Sequence, residues 1–131
     1  MLKTPKRLAA GAGAALLAAT GLTLGVSASA DAATCYGGAE TFKKPDNAKY
    51  APTSGWYKTT NRCNDINIQV AREGLSKGRN VKVCFQNGGC QSAYKLAKAN
   101  EWTVIATDVK DGTTFRFQFE SAKGAAGKWA A

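Results

Sequence analysis

No histidine occurs among the 131 residues. Serine and cysteine nucleophiles therefore lack their usual base, and a side chain that titrates near neutral pH is missing. Acid–base chemistry would fall to carboxylates, of which Glu40, Glu73, Glu101, Glu120, Asp65, Asp108 and Asp111 are the candidates. A glycosidase needs two such groups facing each other across a cleft. Asp111 is explained by a turn and Asp108 by a strand end, so the expectation is a protein that is not an enzyme. Acidic residues are scarce as well, nine against 18 lysines and arginines, and that imbalance points toward anionic partners.

Long apolar runs are missing after the first 30 residues. No later stretch approaches the roughly 20 residues that a membrane helix needs, so no membrane span is expected. The start itself reads as a secretory leader: Lys3, Lys6 and Arg7 precede an uncharged Gly/Ala/Leu stretch from Leu8 to Val26, and small residues follow at Ser27-Ala28-Ser29-Ala30. Charge, apolar run and small-residue site in that order make a signal peptide over residues 1–30, with cleavage after Ala30 or Ala32. The places before Cys35 that lipidation would use hold Ala32 and Thr34, so Cys35 is read as a disulfide partner. Three basic residues leave with the leader. The mature chain then carries 15 basic residues against nine acidic ones, a net +6, and is expected outside the cell.

About 100 residues bury only some 60–70% of their unfolded surface, so such a domain benefits from staples. Cys35, Cys63, Cys84 and Cys90 are an even set in a small exported chain, which favours two disulfides. Cys84 and Cys90 flank the Gly-rich loop Phe85-Gln86-Asn87-Gly88-Gly89, so they are paired with each other and Cys35 is left with Cys63. Neither spacing is that of a structural zinc site. The cluster Asn61, Asn64, Asp65 and Asn67 reads as turn material rather than a calcium loop, and neither a metal nor a cofactor is called for.

What the chain does have is strand patterning. Val81, Val83 and Phe85 alternate with Lys82 and Cys84; Phe115, Phe117 and Phe119 alternate with Arg116 and Gln118; Ile66, Ile68 and Val70 alternate with Asn67 and Gln69. Period-two alternation places one face in a core and one in water. Trp56 to Thr60 is aromatic and β-branched, and Glu40-Thr41-Phe42 suits a short edge strand. Gln91 to Asn100 is read as a strand returning from the cysteine loop rather than a short helix. The continuous apolar run Trp102 to Val109 suggests a central strand, and Asp111-Gly112 a hairpin to Thr113–Glu120. Arg72 to Arg79 is a flexible connection, and the Ala/Gly/Lys-rich residues 122–131 a mobile tail. The sum is one all-β domain over residues 31–121, an antiparallel sandwich or barrel of about six to eight short strands.

The blocks CYGGAETF, TTNRCNDINI, RNVKVCF and EWTVIATDVKDGTTFRFQF resemble the small secreted, cysteine-paired proteins of streptomycetes and related actinobacteria. The resemblance spans Cys35 to Phe119 and implies an extracellular β-protein of a Gram-positive cell. Those proteins mostly carry no assigned activity, so it transfers no catalytic motif.

Binding is the function this pattern favours. Alternation puts Lys82 and Arg116 on the solvent side of their strands, and adjacency puts Trp56 and Tyr57 on opposite faces of theirs. The candidate contact residues are therefore Lys82, Arg116 and one of Trp56 or Tyr57, and the expected partner is an anionic or carbohydrate polymer of the cell envelope or its surroundings. A protein partner is the alternative, with the chain acting as a protease inhibitor or toxin-like factor through the stapled loop between Cys84 and Cys90. No nucleic-acid fold signature is present.

Overall fold

In the computed structural model the described residues are 34–71 and 77–131. The expected leader, and residues 72–76 of the expected flexible connection, lie outside them. Ten strands follow one another among the described residues: β1 (Glu40–Lys44), β2 (Tyr50–Ala51), β3 (Tyr57–Lys58), β4 (Ile66–Val70), β5 (Gly78–Phe85), β6 (Gly89–Cys90), β7 (Lys95–Lys98), β8 (Trp102–Ala106), β9 (Thr114–Phe119) and β10 (Ala125–Ala130). A single helical turn at 34–37 precedes them.

The strands form two antiparallel sheets rather than one closed barrel. The smaller has the order β1-β10-β4-β8; in the larger, β9 and β5 run side by side, flanked by β2 and β3 on one side and by β6 and β7 on the other. The larger count than expected comes partly from the two-residue strands β2, β3 and β6, too short to show any alternation.

The alternating strands behave as their pattern demands. Val81 pairs with Phe119, Val83 with Phe117 and Phe85 with Phe115, so these apolar side chains share one face. All but the partly buried Phe85 are closed to solvent. Phe42, Ile66, Ile68, Val70, Ile105 and Trp129 of the smaller sheet meet them in one core. Each such side chain withdrawn from water stabilises the fold by roughly 1.5–3 kcal/mol. Both disulfides join the expected partners, Cys35 with Cys63 and Cys84 with Cys90.

Three expectations are corrected. Residues 122–131 are not a tail: β10 lies between β1 and β4 and pairs with both, so the folded unit runs from Thr34 to Ala131 rather than ending at Ser121. Its small residues suit that place. A Cβ at Gly127 would collide with the Gln69 carbonyl of the neighbouring strand, so glycine permits the close approach.

β8 is an edge strand and not a central one. Its unbroken apolarity has another cause, because the outward Trp102 is covered by Tyr36 of the helical turn, ring stacked on ring at 4.5 Å. Finally, Asp111-Gly112 does turn the chain, with Gly112 at φ 78°, but β8 and β9 do not pair. They belong to opposite sheets, and the turn carries the chain between them. Thr59 holds it there: Thr113 N donates to Thr59 Oγ1, which donates to the Lys110 carbonyl, while Gly112 N donates to the Thr59 carbonyl.

Candidate binding surface

The face of the larger sheet that points away from the core gathers three of the four sequence-predicted contact residues. Lys82 stands opposite Gln118 and Cys84 opposite Arg116, and Gln118 stands opposite Tyr50 across the next strand pair. Trp56 directly precedes β3, one residue before the inward Tyr57. Tyr94 directly precedes β7, whose Lys95 pairs with Val81, so Tyr94 arrives beside Lys82.

Both cations rest on rings. The Arg116 guanidinium lies 3.8 Å from the Tyr50 ring centre and 4.6 Å from that of Trp56, and Lys82 Nζ lies 4.6 Å from that of Tyr94. All three separations are within the roughly 6 Å over which a ring face attracts a cation. Arg116 Nε is buried without a hydrogen-bond partner. The side chains of Lys58 and Lys98 are exposed on the same face, while its carboxylate, Glu120, accepts a hydrogen bond from Asn80 Nδ2 at 2.7 Å. The result is a positively charged sheet surface with aromatic supports.

No protein-family model, curated protein or solved structure matches this chain. The functional reading therefore rests on its own residues.

Tyr57, the other member of the predicted aromatic pair, belongs to the core. Its ring stacks on Trp129 at 4.4 Å and leans on Phe115 and Phe117. Burial, and then the Glu40 carboxylate, push its hydroxyl above the ordinary value of 10.0. Tyr50 and Tyr94 were missing from the predicted site. Tyr50 has no sequence signal beyond aromaticity, because the lateral order of strands places it beside Arg116, whereas the expected return of residues 91–100 from the cysteine loop already brings Tyr94 near Lys82.

The loop Gln86–Gly89 is exposed, and Cys84 and Cys90 sit directly opposite each other, Cα atoms 3.8 Å apart. The predicted Asx cluster has structural duties: Asn67 Nδ2 donates to the carbonyls of Ala130 and Asp65, and Asp65 Oδ1 accepts from Asp108 N.

A second charged group escaped the sequence reading. Lys44 is almost completely buried; its Nζ donates to the Ala48 carbonyl at 2.6 Å and to that of Lys123, and lies over the Phe119 ring. Asp46 Oδ1 accepts from Gly124 N, and Arg79 reaches the Gly124 carbonyl, so this cluster ties the loop after β1 to the loop before β10. Burial and then Arg79 lower the Lys44 pKa from 10.5, with Asp46 opposing them.

The two shifted groups act in opposite directions on stability. As pH climbs toward 10.5, unfolded chains still hold the lysine proton that the native state has begun to release, so Lys44 adds stability with rising pH. Tyr57 does the reverse above pH 10.0, where the native state keeps a proton that the unfolded chain loses. Urea midpoints measured across this alkaline range should rise less steeply in Lys44→Met than in the parent, and fall less above pH 10 in Tyr57→Phe. Parallel curves for parent and Lys44→Met would show that Lys44 does not carry the effect.

Proposed function

We propose that this chain is a secreted, non-catalytic binding protein that associates with a polymer of the cell envelope or its surroundings. The observation that carries the reading is the outer face of the larger sheet, where Arg116 is held between Tyr50 and Trp56 while Lys82 rests on Tyr94. Rings that support cations along the outer face of a sheet suit an extended ligand better than a small molecule, which calls for a concave pocket. The leader read over residues 1–30 and two disulfides with no free cysteine among the described residues support export to an oxidising environment. Among the described residues no helix is long and apolar enough to cross a membrane. These features also fit the exported actinobacterial proteins that the sequence resembles.

The purified, oxidised protein should co-sediment with cell wall or insoluble polysaccharide at low ionic strength and remain in the supernatant at high salt, where charge attraction is screened. If neither material pulls it down at low salt, the reading fails. The exposed loop Gln86–Gly89 supports a second reading, a protease inhibitor or related protein-directed factor. Inhibition of a secreted protease that disappears when residues 85–89 are replaced would favour it.

A further inference from the structure

We infer that the ligand of this face is a phosphodiester polymer without aromatic bases, of the polyol-phosphate or sugar-phosphate kind. The inference rests on the binding function proposed above and goes further by naming the chemistry recognised.

The argument starts from what the rings are doing. A neutral glycan is held by open aromatic faces, and so is a single-stranded nucleic acid, whose bases stack on them. Here one face each of Tyr50 and Trp56 is taken by the Arg116 guanidinium, and one face of Tyr94 by Lys82. A ligand meeting this row encounters the edge of a guanidinium and the head of an ammonium. Both are donors for oxyanions, and both are held in place by their ring supports.

Charge then narrows the candidates to polyanions. Among the described residues the face carries Lys58, Lys82, Lys98 and Arg116 against one carboxylate, Glu120, which is already hydrogen-bonded to Asn80. Three of the four cations are lysines. Lysine meets phosphate as a point charge, and the two unesterified oxygens of a phosphodiester can also accept from the guanidinium fork of Arg116. Spacing points to a chain rather than a lone ion. Lys82 is opposite Gln118, and Arg116 lies two residues from Gln118 on the same face, which makes the two cations diagonal neighbours about 7–8 Å apart at the backbone. The heads lean apart from there, Lys82 toward Tyr94 beside β7 and Arg116 toward Tyr50 and Trp56 beside β2 and β3, an arrangement that suits successive charges along one polymer.

Titration calorimetry of the purified, oxidised protein at low salt, against soluble poly(glycerol phosphate), polygalacturonate, a neutral β-glucan and poly(dT), tests the assignment. The phosphate polymer should bind at least tenfold more tightly than the other three. Arg116→Lys, which keeps the charge but loses the fork, and Lys82→Gln should each weaken it by about tenfold, since charge-assisted hydrogen bonds are the strong ones. Lys128→Gln, on the outer face of the other sheet, should leave it unchanged. Near-ultraviolet circular dichroism of each variant verifies that the fold is intact.

Equal or tighter binding of polygalacturonate, glucan or poly(dT) would overturn the phosphodiester assignment while leaving a polymer-binding protein standing. Retention of full affinity by both Arg116→Lys and Lys82→Gln would overturn the placement on this face. Failure of all four polymers to bind at low salt, together with failure to sediment with cell wall, would remove the proposed function as well.

Discussion

Trp129→Ala is expected to lower the melting temperature by roughly 15 °C or more. Trp129 is 5% exposed and its indole lies 4.4 Å from the Tyr57 ring and 5.6 Å from Phe115, so it is where the last strand plugs into the aromatic core. Truncating a buried tryptophan costs about 3–5 kcal/mol, and a domain of this size loses about 4–8 °C per kcal/mol. Trp129 Nε1 is buried with no hydrogen-bond partner. The indole therefore acts through its area, and Trp129→Phe should retain most of the stability that alanine loses.

Deleting residues 125–131 goes further. It removes the strand that pairs with both β1 and β4 and the carbonyl of Ala131, which accepts from Thr60 N and Thr60 Oγ1 at 3.0 and 2.7 Å. Both neighbours would then expose an unpaired edge. The deleted chain should show no cooperative thermal transition by circular dichroism. A cooperative melt within a few degrees of the parent would mean that β10 is dispensable.

That strand also marks the limit of what was legible in the residues. β4, β5 and β9 announce themselves because each has one wet and one dry face, and alternation records that difference directly. β10 reads Ala-Ala-Gly-Lys-Trp-Ala, in which Trp129 alone favours a strand. It is a strand because two neighbours supply its hydrogen bonds, a long-range fact that no local pattern encodes. The turn at Asp111-Gly112 misleads for a related reason: its chemistry specifies a reversal of the chain but not the sheet in which the next strand lands.

The binding face was half legible by the same logic. Alternation puts Lys82 and Arg116 outward without any knowledge of the fold. Adjacency guarantees that Trp56 and Tyr57 diverge, but which of them enters the core depends on Trp129 arriving from the chain's end. Tyr50 is distant in sequence from Arg116 and became its partner only through the lateral order of the sheet, whereas Tyr94 lies on the segment read as returning from the cysteine loop and is set beside Lys82 by the register of β5 with β7.

Replacing both Cys35 and Cys63 by serine should cost more stability than replacing both Cys84 and Cys90. In the chain-entropy account a bridge spanning 28 residues restricts the unfolded chain by roughly 3–4 kcal/mol, and one spanning six by roughly 2. The native contacts push the same way. Cys84 and Cys90 join strands that already pair residue against residue, whereas the first bridge is what fastens the helical turn at 34–37 to the body. Cys35 Sγ covers the buried Asn67, whose amide links β4 to β10 through the Ala130 carbonyl, and the neighbouring Tyr36 shields Trp102. Loss of that bridge frees the turn that covers Trp102, and the apolar ring area returned to water adds its own penalty. Urea denaturation of the two double variants should therefore place the Cys35/Cys63 midpoint below the Cys84/Cys90 midpoint, with both below the parent. The opposite order would show that the short bridge, and not the N-terminal clasp, is the principal covalent support of the fold.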